Sequence, residues 1–350
     1  MDLTVAAMLV QDGIASGAVY VLMALALVLV FAVTRIIFIP QGEFVVFGAF
    51  TLSALQGGQW PHAATLLVAM GALVFIAETC ATLRNPDLRR RAGRGLAWHA
   101  GKYLAFPWAV YLLAAAATGQ ALPMPAQVAL TLLIVAPMGP FLYRLAYEPL
   151  AEASTLVLLI ASVGVHLVLL GLGLVMFGAE GVRTQPFSGA DFALGELQVS
   201  AQSLWVVGVS AAMVGGLYLY FEHSLSGKAL RATAVNRRGA RLVGIGTAQA
   251  GKLAFTLVAL IGTLCGILIA PISTVYYDSG FLICLKGFVG AIVGALVSYP
   301  MAAGGALLVA MLESFSAFYA SAFKEVIVFT LIIPVLLWRS LAGAHGADEE

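Results

Sequence analysis

The feature that most constrains this chain is a series of apolar stretches, many of them about as long as a lipid bilayer is thick. They run over residues 13–34, 41–57, 62–83, 103–119, 125–143, 155–178, 202–221, 251–270, 281–297, 301–320 and 324–338. A membrane-crossing helix needs about 20 predominantly apolar residues. The second, ninth and eleventh stretches are short. They read as little-tilted or partly re-entrant, a geometry allowed only where protein or a wet cavity covers the backbone. Hydrophobic residues make up 61% of the chain and charged ones 10%, against about 25% charged in a soluble domain. Polar surface cannot cover that apolar content, so lipid is the main solvent. The expectation is an all-α polytopic membrane protein, with about nine to eleven transmembrane helices in one bundle spanning residues 1–350.

The start, "MDLTVAAMLVQDG", lacks a basic region ahead of its first apolar stretch, so no cleavable signal is expected. Orientation follows Lys and Arg in short loops. One loop carries Arg84, Arg89, Arg90, Arg91, Arg94 and Lys102; another carries Lys228, Arg231, Arg237, Arg238, Arg241 and Lys252. Four apolar stretches separate them. An even number puts both loops on one face, expected to be cytoplasmic. Arg35, Arg144 and Arg339 then fall on the same face, leaving Arg183, Lys286 and Lys324 elsewhere. The Glu180–Ser200 loop sets Arg183 against Glu180, Asp191 and Glu196. This places the N-terminus outside and the C-terminus in the cytoplasm. Gly13/Gly17, Gly262/Gly266 and Gly290/Gly294 have the spacing that lets helix backbones approach, though 37 glycines generate some such pairs by chance.

Enzyme chemistry has little support. There is no Walker-type phosphate loop, HExxH, CxxC or GxSxG. Cys80, Cys265 and Cys284 lack metal-ligand spacing, and their odd number argues against a disulfide framework. His62, His99, His166, His223 and His345 do not cluster. No metal, catalytic residue or nucleic-acid partner is expected. Function is therefore sought in polar residues within the apolar stretches. Glu43, in "IIFIPQGEFVVFGAF", reads either as a helix N-terminal acid near the cytoplasmic face, with Pro40 at the helix start, or as a hinge or pathway residue. Glu313 is deeper and needs a buried partner or a wet cavity; a hydrogen bond to Ser or Tyr and a substrate contact are both open. His166, mid-stretch, reads as packing or as a pathway group. Gln41 and Gly42 complete the pathway and gating candidates.

"GKALRATAVNRRGARLVGIG" has helical spacing, with Leu230, Ala234, Arg238 and Arg241 or Leu242 at three- or four-residue steps, and reads as a short amphipathic helix on the cytoplasmic face ended by Gly244. Such a helix binds either lipid headgroups or a docking partner.

These residues carry a resemblance. "GIASGAVYVLMALALVLVFAVTRIIFIPQGEFVVFGAF", "YRLAYEPL", "GKALRATAVNRRGARLVGI" and "GFLICLKGFVGAIVGALVSYPMAAGGALLVAMLES" resemble, in order, four blocks of the branched-chain amino acid ABC permease family of LivH type. The resemblance implies an ABC importer permease fold and a subunit of the bacterial inner membrane. Its implied partners are a second homologous permease, two cytoplasmic ATPases that hold ATP and Mg, and a periplasmic substrate-binding protein. The chain itself would bind no cofactor. ATPase coupling carries onto residues 222–250, at Gly227, Arg231, Arg238, Ala240, Arg241 and Gly244. Three departures stand out. Phe38-Ile39-Pro40 replaces the family's Asn-Phe-Ala, and Arg238-Gly239-Ala240 replaces its acid-Ala-Ala pattern. Residues 61–121 read as containing an added pair of spans with a basic loop.

Two functions of different class follow. The first is a permease half of an ATP-driven importer for small amino acids, branched-chain by default, or related carboxylates, working by alternating access. The alternative is a stand-alone secondary transporter or channel, which needs ion-coupling groups at the midplane.

Overall fold

The computed structural model describes residues 3–84, 98–189, 191–194, 197–296, 298–335 and 337. Arg89, Arg90, Arg91, Arg94, Glu196, Arg339 and His345, which entered the orientation and histidine arguments, lie outside the described residues. In chain order the helices are α1 (Leu3–Thr34), α2 (Gln41–Gln56), α3 (His62–Arg84), α4 (Trp98–Ala117), α5 (Met124–Leu150) and α6 (Thr155–Phe177). A β-hairpin follows, β1 (Asp191–Leu194) against β2 (Leu197–Ser200). Then come α7 (Ala201–His223), α8 (Leu225–Val235), α9 (Arg237–Leu242), α10 (Thr247–Ile269), α11 (Ser279–Val293), α12 (Tyr299–Tyr319) and α13 (Lys324–Thr330).

Eight of these, among the described residues, are long and apolar enough to cross a membrane: α1, α3, α4, α5, α6, α7, α10 and α12. The three short stretches of the sequence are the ones that form short helices, α2, α11 and α13. The protein is a multi-pass helical membrane protein.

Helix α1 lies at the centre. Leu22, Met23, Ala24, Ala26, Val28 and Val30 are all fully buried. It packs on α12, α10 and α11, while α2 packs on α10. By contrast α6 turns Leu156, Ile160, Leu167, Val168 and Val175 outward, the expected surface of a helix whose neighbour is lipid. Lipid tails are as apolar as leucine, so close packing rather than the hydrophobic effect holds such helices together. The three glycine pairs lie at these contacts. Gly13 and Gly17 face Met311 and Leu307 of α12, Gly262 and Gly266 face Phe44 and Val45 of α2, and Gly290 and Gly294 face Ala306 and Ala302 of α12.

Four long helices, α4 to α7, separate the two basic loops. One end of the bundle collects basic groups with acidic partners: Arg144 Nε lies 2.7 Å from Glu78 Oε1, and Lys252 Nζ lies 3.1 Å from Glu148 Oε2. At the other end, Val182 and Val275 pair through their backbones. Gln56 Oε1 accepts from Gln185 N at 2.8 Å, and Arg183 donates to the carbonyls of Pro271 and Ile272.

Candidate functional site

The segment between α1 and α2 folds back into the bundle. Thr34 Oγ1 donates to Val30 O at 2.7 Å and accepts from Ile36 N at 3.3 Å, closing α1. Arg35 takes φ 62°, a left-handed turn that is unusual without glycine. Ile36 and Phe38 are then buried, and the Phe38 ring packs on Phe44, Tyr147 and Phe255. Phe38, which stands where the resemblance expects a polar residue, is thus a core anchor that draws the chain inward. Pro40 precedes the first turn of α2, which has no side-chain cap.

The depth of that start is measurable along α1. Gln41 Nε2 donates to Met23 O at 3.0 Å. Met23 lies eleven residues before α1 ends at Thr34 (34 − 23 = 11), or about 16 Å at 1.5 Å per residue. Glu43 is 1% exposed, and its Oε1 lies 3.0 Å from His166 Nδ1. His166 is eleven residues from either end of α6 (166 − 155 and 177 − 166). The expectation of Glu43 near the cytoplasmic face is therefore corrected. It sits mid-bundle, because α2, at 16 residues, is about 24 Å long and occupies only part of the thickness.

A second short helix begins at the same place. Gly280, in the first turn of α11, meets Gly42 backbone to backbone; a Cβ on either would run into the carbonyl oxygen of the other. Like α2, α11 starts without a side-chain cap. Two helix N-termini, each carrying partial positive charge, thus meet inside the protein. Around them are Glu43, Gln41, His166 and Asp278, with Cys284 packed beside Gly42 and Phe281 stacked on His166 at 5.1 Å between ring centroids. His166 and Glu43 face each other as a buried pair at 3.0 Å, while Gln41 Oε1 has no hydrogen-bond partner among the described residues. The structure brings together Gln41, Gly42, Glu43 and His166 of the expected pathway residues.

Glu313 belongs to a different cluster. It accepts from Lys286 Nζ at 2.5 Å and from Tyr20 Oη at 2.7 Å, and Lys286 also reaches Glu325 at 3.2 Å. This network ties α1, α11, α12 and α13 together. Both the buried partner and the tyrosine expected for Glu313 are present. Lys286 and Glu325 were missed as its partners; the signal was a lysine inside an apolar stretch, which demands an acid nearby.

At the basic end, the expected single amphipathic helix is two. Asn236 adopts φ −147° and ψ 99°, ends α8, and caps α9 by accepting from Gly239 N at 2.8 Å. Asparagine competes for backbone hydrogen bonds, which suits a cap and breaks a continuous helix. Gly244 ends the unit at φ +85°. Gly227 is buried where a Cβ would strike the Tyr220 carbonyl, and Ala240 is buried. Arg231 pairs with Glu222 at 2.9 Å and Arg241 with Glu152 at 2.8 Å. The hydrogen bond from Arg241, with its charge, holds the Glu152 carboxyl below its ordinary value. Arg238 is exposed and makes no ion pair or hydrogen bond among the described residues. Leu242 and Val243 are also exposed, at 89% and 76%.

A family model described as "Branched-chain amino acid transport system / permease component" matches residues 93–336. The chain belongs to that family. Within the curated members of this permease family, it is 27% identical over 256 residues to the high-affinity branched-chain amino acid transport system permease protein BraD of Pseudomonas aeruginosa, covering 71% of this chain and 83% of the relative. It is also 27% identical over 215 residues to the permease protein LivH of Salmonella typhimurium and of Escherichia coli K12, covering 59% of this chain and 69% of each relative. No solved structure matches. The family match begins beyond α1 and α2, so Gln41, Gly42 and Glu43 lie outside it, while His166, Asp278 and Gly280 of the same junction lie within it.

Proposed function

We propose that this chain is one permease half of an ATP-driven importer for branched-chain amino acids, working by alternating access in a bacterial inner membrane. The observation that carries this reading is the family match over residues 93–336, together with relatives whose names describe branched-chain amino acid permease proteins. The transport path runs past the Gln41–Glu43 junction. Half-length helices that begin inside a bundle are a recurrent way to build a transport site, because their free backbone groups are exposed where protein covers them.

The basic end faces the cytoplasm, with the N-terminus outside and the C-terminus inside. Residues 222–250, with α8 and α9, dock on two ATPase subunits that hold ATP and Mg. Exposed Arg238, Leu242 and Val243 support a docking face there. A second homologous permease completes the path, and a periplasmic binding protein delivers ligand to the opposite end. Helices α3 and α4, within residues 61–121, are the added pair of spans. Gly71 of α3 meets the Tyr103 carbonyl and the Pro107 ring of α4, so the two pack as a unit.

The test is reconstitution in proteoliposomes with a second permease, both ATPases and a binding protein. ATP-dependent leucine uptake is expected. Uptake that persists with the ATPases omitted would overturn the reading in favour of a secondary transporter.

A further inference from the structure

A wide groove runs along the lateral surface of the bundle between α4, α5 and α10. Its origin lies in the sequence of α5. Pro137 and Pro140 each lack the N–H that a continuous helix needs, and regular helical bonding is interrupted at Ala136 and Pro137. Just beyond, Gly139 lets α5 approach the Phe255 backbone of α10 where a Cβ would strike the carbonyl. Helix α4 does not follow α5 inward. It packs chiefly on α3 and only lightly on α5, and a Cβ on Gly101 would meet nothing within 4 Å. The space left between them measures about 970 Å³, at the upper end of the ~300–1,000 Å³ of ordinary ligand pockets.

Length, direction and charge each point to the same occupant. Along α5 the lining runs from Ala129 to Phe141, about 18 Å at 1.5 Å per residue, close to one leaflet's share of a ~30 Å hydrocarbon core. Ala129, Leu133 and the Phe106 ring of α4 are exposed, so the groove opens to the surroundings of the bundle and not to its interior. Phe141 stands three residues before Arg144, which pairs with Glu78, so one end of the groove lies at the basic face and the other runs toward mid-membrane. The lining is otherwise apolar, and the Thr256 hydroxyl in it is spent on Lys252 O at 2.8 Å. Lys102, at the basic end, is exposed, and its Nζ makes no ion pair or hydrogen bond among the described residues; it lies 5.3 Å from the Tyr103 ring centroid. Trp98, one turn earlier and 72% exposed, lines the same mouth, and tryptophan is the side chain enriched where a membrane meets water. The sequence ahead of α4 is basic as well, with Arg89, Arg90, Arg91 and Arg94, a composition that draws anionic headgroups to the adjoining membrane surface.

We propose that this groove holds one anionic phospholipid of the leaflet at the basic end, its acyl chain laid along α5 and its headgroup bound by Lys102 beside Trp98. An apolar trough one leaflet long with a free cation at its mouth is the complement of an acyl chain with a negative headgroup. A protein partner seated there would have to bring an acid of its own to Lys102. The lipid bridges α4 to α10, which do not pack closely on each other, and so fills the space that the proline break in α5 opens. The assignment is independent of what the protein transports.

Native mass spectrometry of the full chain in detergent tests this, because each bound lipid is read by its mass. Phosphatidylglycerol and phosphatidylcholine with identical acyl chains are supplied in equal amounts. The first lipid retained should be phosphatidylglycerol in preference to phosphatidylcholine. Lys102→Gln should reduce that preference about fivefold, the factor one basic side chain near a membrane surface carries, and Lys102→Arg should keep it. Ala129→Phe, which fills the deep end of the groove without touching its charge, should lower retention of both lipids. Leu167→Phe, on the outward face of α6 and away from the groove, is the control and should leave retention unchanged. Equal retention of the two lipids by the wild type, an undiminished preference in Lys102→Gln, or wild-type retention by Ala129→Phe overturns the assignment. A dimer that Ala129→Phe dissociates also overturns it, by making this face a contact between copies of the chain. If Ala129→Phe does not fold, the Lys102 series decides alone, since that side chain is exposed and unpaired.

Discussion

Gly42 and Gly280 join two helices that both begin inside the protein, and neither position has room for a Cβ. Because the obstruction is backbone carbonyl rather than a flexible side chain, it cannot be relieved by a rotamer change. Gly42→Ala or Gly280→Ala should force α2 and α11 apart and cost about 1–3 kcal/mol, the usual range for overpacking. Thermal unfolding in detergent should show a lowered Tm for each. Gly164→Ala, on α6 where a Cβ meets nothing within 4 Å, is the matched control and should not lower Tm, since alanine is the better helix former.

The Lys286–Glu313 pair gives a second prediction. Lys286 is 6% exposed and bonds Glu313 at 2.5 Å and Glu325 at 3.2 Å, with Tyr20 closing the network on Glu313. Removing one member of a buried ion pair leaves the other charge without compensation and costs about 3–5 kcal/mol. Lys286→Met alone should therefore lower stability more than Lys286→Met combined with Glu313→Gln, since the double variant removes charge from both sides. A double-mutant cycle on Tm in detergent checks this. Additive effects would mean that the two residues act independently.

Much of the bundle was legible in the sequence because span length and glycine spacing answer to the bilayer and to close packing. The three short stretches became α2, α11 and α13, and the three glycine pairs became helix contacts. The depth of Glu43 was not legible. It depends on where the chain goes between Thr34 and Gln41, and that is decided by long-range contacts of Phe38 with Tyr147 and Phe255 and of Gln41 with Met23. Local pattern carries no record of such contacts. Likewise the capping tendency of Asn236 was outweighed by the helical spacing on both sides of it, so one helix was read where two exist. The junction's partners were half visible: Gln41, Gly42, Glu43 and His166 stood out as polar or small residues in apolar surroundings, whereas Gly280, Phe281 and Cys284 look like ordinary members of an apolar stretch.

The Arg241–Glu152 link carries a pH dependence. Arg241 holds Glu152 ionised by hydrogen bonding first and by charge second, and so depresses its folded pKa below the ordinary 4.5. A depressed carboxyl contributes stability that is full above its unfolded value and lost as pH falls through its folded value. The link between α9 and the turn ahead of α6 should therefore be constant from neutral pH down to about 5 and weaken below the ordinary carboxylate range. The pair is exposed, so the effect on global Tm is small. Hydrogen exchange of α9 amides should speed up on acidification in the wild type relative to Glu152→Gln, and the two should converge at the lowest pH.

Arg238 gives the sharpest test of the basic end, because it separates docking from folding. Arg231 and Arg241 are held by Glu222 and Glu152, so reversing their charge breaks contacts within the chain as well as any made to a partner. Arg238 is exposed and has no such contact among the described residues. Substitutions at surface positions of that kind usually change stability by less than about 0.5 kcal/mol. Arg238→Glu should therefore leave the Tm of the isolated permease unchanged while reducing ATP-dependent uptake in the reconstituted complex, because a charge facing a partner acts through the interface. Arg241→Glu should do both, and Arg241→Glu with Glu152→Arg should recover stability through the swapped pair while uptake stays low. Full uptake by Arg238→Glu would remove α9 from the docking face. A drop in Tm for Arg238→Glu would show instead that the residue supports the fold.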